Sequence, residues 1–412
     1  KAIFILKFNS KKKGVKRFFM DKSKLNYQKN LLLIIVVLFW FAQYVYVPFQ
    51  TPYLSTMQVS SSMIGIIIGI YGFSQMVLRM PIGIMADKNG RHKLFIILGV
   101  TASALASVFR IILEPQTGFL VGNILSGFAS AMWISFMVLY ASYFTCENLQ
   151  RAMGLIMAAN NIGVLGGFVL STLSYNHLGM NFLCLLSICS GVPAILLSFG
   201  IKEQKTKTVK IVPKTSDLIK VYADKRLIFF SILALVQQGI LMATCMSFTT
   251  QIAHEINASA FQIGLLSIVY IIVAVLASYF SASNFARRLG SSLWIPFILF
   301  VLAIYCFAVP NIFSPNLLIA IQILVGLSTG IVFSFCTSEA MKNVPIEKRS
   351  TAMGYYQAIY AVGMTIVPMI AGNIAEIYSL NIAFYLEGII AVIATVASMI
   401  YFKYDNRKTI KG

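Results

Sequence analysis

The chain has 412 residues, 58% of them hydrophobic and 11% charged, with a formal net charge of +20. A soluble domain carries about one charged residue in four, so this composition excludes a water-soluble globular protein and points to a bilayer. The surplus of lysine and arginine falls in short segments between apolar runs, which is the pattern of topology determinants rather than of a nucleic-acid surface.

Residues 1–30 form a basic segment. Within it Met20 opens "MDKSKLNYQKN", a candidate start, and the preceding residues 1–19 are too interrupted by lysine to span a membrane. Twelve apolar runs follow, at about 31–50, 61–86, 93–113, 118–145, 151–174, 180–200, 227–253, 260–285, 292–310, 315–341, 350–375 and 380–402. Each is long enough to cross about 30 Å as a helix. Connections are short except 201–226, which is polar and basic, and a tail follows at 403–412. The expected fold is therefore an all-α integral membrane protein of twelve transmembrane helices, in two six-helix bundles at 31–200 and 227–402. With the N-terminus inside, every Lys and Arg except Arg79 and Arg110 lies in an inner segment, so both termini are placed in the cytoplasm.

The two halves repeat. "AMG" stands at 152–154 and at 352–354, Gly163 matches Gly363, and Gly90 matches Gly290, all at an offset of 200 residues. Duplicated bundles related by an axis along the membrane normal place a substrate site near the midplane, between the halves.

The stretch "QMVLRMPIGIMADKNGRHK", Gln75 to Lys93, carries an arginine inside an apolar run. Wound at 100° per residue, Gly65, Gly69, Gly72, Arg79, Gly83 and Asp87 fall within about 80° of one another. That is a small-residue face on which a neighbouring helix packs closely. Two roles are open to Arg79. It snorkels or bonds to carbonyls and Gln75, or it belongs to a gate or to an anion-facing cavity wall.

The turn that follows, Gly83-x-x-x-Asp87-Lys88-x-Gly90-Arg91, resembles the loop between the second and third helices of the major facilitator superfamily. The twelve-helix plan and the basic central loop extend the resemblance over the chain from about residue 30. It implies a latch between the halves in which Asp87 faces the N-terminus of the eleventh helix. It also implies that Arg91 pairs with Glu147, near Arg151. The second copy, "SNFARRLG", lacks the aspartate. In the fourth helix the residue four before Gly127 is Asn123, where proton-coupled exporters of the family usually carry arginine, so no guanidinium is expected there.

A carrier cavity needs polar groups at mid-helix depth. The candidates are Trp40, Gln43 and Tyr44 on the first helix, Asn123 and Trp133 on the fourth, and Asn160 on the fifth. Gln237, Gln238 and Thr244 on the seventh and Tyr356, Gln357 and Tyr360 on the eleventh complete the set. Amides and aromatics suit a neutral polar or amphipathic solute; interhelical bonding and packing is the alternative role of each. Glu339 and Glu387 are the candidate proton sites. Arg110 and Glu114, four apart, are expected to pair. The six cysteines have neither CxxC spacing nor a histidine cluster, so packing is expected and no metal or cofactor.

The expected function is a secondary active transporter for a small solute in the plasma membrane, monomeric, driven by an ion gradient with H+ suspected. Proton-coupled export of amphipathic compounds is the leading reading. Uptake of a sugar or organic anion, or a non-transporting sensor or scaffold, are the alternatives. No nucleic-acid partner and no enzymatic activity are expected.

Overall fold

A computed structural model describes residues 22–89, 91–144, 149–203, 223–344 and 349–411; within these, side-chain surroundings are described except at 22, 80, 83–89, 149–151, 349–351 and 406–411. All regular structure among the described residues is helical. Eleven continuous helical stretches are long and apolar enough to cross a membrane. One of them, Leu149–Ser198, has 50 residues, about 75 Å at 1.5 Å per residue and far more than one crossing needs. It breaks at Gly179, whose φ of 68° and ψ of −172° no helix accommodates and which glycine adopts without a Cβ penalty. The fifth and sixth spans meet there, so the bilayer is crossed twelve times.

The first span is Lys22–Tyr44, resumed as Val47–Thr56. The second is Ser61–Asn89, the third His92–Ile112, and the fourth Pro115–Ala131 continued by Trp133–Ser142. After the central segment the seventh runs Lys225–Ala243, through a π-helical turn at Thr244–Phe248, to Thr249–Glu255. The eighth to twelfth are Ala260–Ser281, Ser291–Ala308, Pro315–Met341, Arg349–Ile377 and Leu380–Lys411.

Apolar periodicity does not foretell the interruptions in the first and seventh spans. Pro48 explains the first, because it has no N–H for the Tyr44 carbonyl and its ring crowds that turn. In the seventh, the π turn inserts one residue into the helical ladder. The breaks lie about 200 residues apart, the same offset as the sequence repeat.

Glycines set the packing inside each half and between halves. A Cβ on Gly163 would stand 2.5 Å from the Val37 carbonyl oxygen, and one on Gly363 would stand 2.1 Å from that of Leu235. The fifth span thus packs on the first as the eleventh packs on the seventh. Between the halves the second span crosses the eleventh along the predicted glycine face. Cβ atoms on Gly65 and Gly72 would lie 2.3 Å from the Pro368 oxygen and 2.8 Å from the Met364 carbonyl carbon. Small residues allow this approach where lipid gives no hydrophobic drive. At the outer ends, Glu376 accepts from the Ser62 amide at 2.8 Å and the Thr51 and Ser247 hydroxyls meet at 3.2 Å. The eighth span closes on the fifth where Gly264 meets Thr172. The outer side of the molecule is sealed.

Candidate functional site

The two interrupted helices face each other across a cavity of about 50 Å³. This is room for a few waters, against roughly 300 Å³ or more for the pocket of a drug-sized ligand. Of the predicted cavity residues, Gln43, Tyr44 and Asn123 line it. Tyr46, Gln50, Tyr71, Met242 and Met246 line it as well and were not singled out in the sequence. Met242 stands two residues before the π turn and Met246 within it, a distortion that composition does not signal, and Tyr46 lies in the break before Pro48. Aromatic faces, amides and thioethers make this wall adaptable and amphipathic.

Other predicted residues build the surroundings rather than the wall. Trp40 and Trp133 are buried with ring centroids 5.3 Å apart, edge to face. Gln237 donates to Thr329 at 3.3 Å, joining the seventh and tenth spans, and Thr244 bonds back to the Ile240 carbonyl. Tyr356 meets Thr337 at 3.1 Å and stacks edge-on with Tyr360. Asn160, Gln238 and Gln357 are half-buried and are not part of the cavity wall.

Arg79 neither snorkels nor bonds to Gln75. It is buried and its Nη1 donates to the Tyr360 hydroxyl at 2.7 Å, across the boundary between the halves. Arg91 is exposed at the start of the third span. The side chains of Asp87, Lys88 and Arg151, the surroundings of Gly83, and all of Gly90 and Glu147 lie outside what the structure describes; so does the expected latch.

The expected pairing of Arg110 with Glu114 is corrected. Glu114 is exposed, whereas Arg110 is only 3% exposed and turns the other way. Its Nη2 lies 2.9 Å from the Tyr46 hydroxyl, 2.9 Å from Asn123 Oδ1 and 2.8 Å from Ser126 Oγ, and Nη1 reaches Ser107 at 3.2 Å. The guanidinium also sits 3.9 Å from the centroid of the Tyr46 ring. Asn123 completes the cluster by donating to the Ile67 carbonyl, and Gln43 by donating to that of Ser126. A guanidinium does therefore stand at Asn123, contrary to the expectation for the fourth span. It arrives from the third span because Gly122 leaves space for it; a Cβ there would be 2.7 Å from Arg110 Nε. Sequence spacing along one helix carries no signal for such a neighbour.

The carboxylates also separate. Glu339 binds Arg226, whose Nη1 also reaches Asp405 at 3.0 Å, and accepts from Ser291 at 2.6 Å. That cluster ties the inner ends of the seventh, ninth, tenth and twelfth spans, so Glu339 is anchored in an ion pair rather than free. Glu387 is buried, and its Oε2 has no hydrogen-bond partner among the described residues. Of the described cysteines, Cys184, Cys245, Cys306 and Cys336 are buried and all are unpaired, and no metal-binding cluster occurs among the described residues.

Twelve spans, two repeated halves and, between interrupted helices, a cavity walled by tyrosines, amides and methionines define a membrane carrier. The Major Facilitator Superfamily model matches residues 32–250 and 227–411, and the chain belongs to that family of transporters. It is 22% identical over 358 residues, 85% of this chain and 92% of the relative, to an uncharacterized MFS-type transporter of Methanocaldococcus jannaschii. It is 28% identical over 220 residues to the inner membrane transport protein YajR of Escherichia coli; this match covers 50% of the chain and only 46% of that relative's length. Among solved structures, a bacterial homologue of the human lysosomal transporter Spinster, inward-facing and occupied, superposes with a TM-score of 0.74 at 14% identity, over 95% of this chain and 99% of that one. At that identity the likeness concerns the fold.

Proposed function

We propose that the protein moves a small amphipathic solute across the cell membrane by alternating access, as a monomer and at the expense of a proton gradient. The carrying observation is the cavity itself, which lies between two helices interrupted at equivalent positions and is closed from outside by contacts between the halves. Interrupted helices at the midplane supply backbone groups and adaptable walls for a solute. The Tyr44, Tyr46 and Tyr71 rings offer faces to a flat apolar body, and Gln43, Gln50 and Asn123 offer hydrogen bonds. For coupling, Glu387 is the better of the two proposed proton sites, since Glu339 is held by Arg226. The name of the Escherichia coli relative, an inner membrane transport protein, agrees with placement in the cell membrane.

The test uses a single cysteine at Met246, on the cavity wall, in protein lacking its six native cysteines and reconstituted in vesicles. A carrier shows this cysteine reactive to impermeant maleimide from either face in turn, with the balance shifted by an imposed pH gradient. Reactivity from one face only, unmoved by the gradient, would refute alternating access and favour a scaffold.

A further inference from the structure

We propose that the solute is an organic anion and that Arg110 is the counter-charge for its anionic group; the inference rests on the cavity being the solute site. Arg110 leaves the helix within one turn of the outer end of the third span. Water lies close by in that direction, and long cationic side chains normally reach for it. This one points inward instead, to Asn123, eight residues and about 12 Å along the fourth span from Pro115. Among the described residues every hydrogen-bond partner it has there is neutral: Tyr46, Ser107, Asn123 and Ser126. Its Nε has none. Arg79, also buried, is likewise bonded to a neutral group.

A buried cation among neutral dipoles is tolerated but uncompensated, and a mobile anion compensates it best. The geometry allows the exchange. Nη2 has two hydrogens and three acceptors within 2.9 Å, so one acceptor can leave without stranding a hydrogen. Two of those acceptors, Tyr46 and Asn123, are themselves cavity wall. When the cavity widens, a carboxylate entering beside the tyrosines replaces one of them, and the aromatic wall holds the apolar remainder.

The experiment follows quenching of Trp40 and Trp133 fluorescence in purified protein by three isosteric probes: 4-nitrobenzoate, 4-nitrobenzamide and 4-nitrobenzylammonium. The anion is expected to bind on the order of tenfold or more tighter than the amide, and the cation weakest. Arg110→Gln should erase the ranking, and Arg110→Lys should keep it in part. Asn123→Asp, which retains the arginine and gives it a built-in partner, should also abolish the anion preference; it serves where Arg110→Gln fails to fold. Saturable binding without charge preference in the wild type, or a preference that survives Arg110→Gln or Asn123→Asp, overturns the inference and leaves the carrier reading standing. Absence of saturable binding by any of the three overturns the cavity as a solute site and the inference with it.

Discussion

Gly65→Ala should hold the carrier open to the outside. The added methyl would stand 2.3 Å from the Pro368 carbonyl oxygen and 3.1 Å from the Gly372 Cα. Backbone atoms cannot rotate away, so the second and eleventh spans must separate by nearly 1 Å at their outer ends. Overpacking of this kind costs about 1–3 kcal/mol, and the cost falls only on the sealed form in which these helices touch. The ratio of open to sealed molecules should therefore rise about 5- to 140-fold. A cysteine at Ser247, fully buried against Thr51 in the sealed form, reports the change through its labelling rate with impermeant maleimide from outside. Gly166→Ala is the control, because its Cβ would meet only the Phe41 ring at an ordinary 3.7 Å. An unchanged labelling rate in folded Gly65→Ala protein, or an equal rise in Gly166→Ala, would refute the assignment of this crossing as the outer seal.

Three further outcomes are expected. Asp87→Asn should lower the labelling of the same Ser247→Cys reporter, by the 0.3–1 kcal/mol or so that a helix terminus contributes to a facing carboxylate; no change would remove the latch that the loop motif implies. Arg79→Gln and Tyr360→Phe should each slow transport, and the double variant should be no worse than either single one, since both break one bond between the halves; additive losses would show that Arg79 acts elsewhere. Glu339→Gln should lower the midpoint of thermal unfolding, at a cost of about 1–3 kcal/mol for leaving Arg226 with Asp405 alone, without altering the proton dependence of transport. A lost proton dependence would restore Glu339 as the coupling site over Glu387.

The sequence by itself determined the membrane class, the twelve crossings, the duplication and the glycine face of the second span. These follow from one-dimensional quantities: apolar run length against bilayer thickness, charge placement, and residue spacing on a single helix. It also marked Gln43, Tyr44 and Asn123, polar residues that an apolar run holds only for a reason. Only the tertiary structure decided which partner each buried charge takes. Arg110 looked paired with Glu114 because four residues bring side chains together along one helix. In the fold, its guanidinium is taken instead by Tyr46 from the first span and by Asn123 and Ser126 from the fourth. Glu339 stood as a candidate proton site in the sequence, and the fold brings the ends of four helices together on it with Arg226. The cavity formed where Pro48 and the π turn at Thr244–Phe248 interrupt their helices at matching depth. Proline announces itself in a sequence, but a π turn is settled by packing, and Met242 and Met246 became visible as cavity wall only once it was in place.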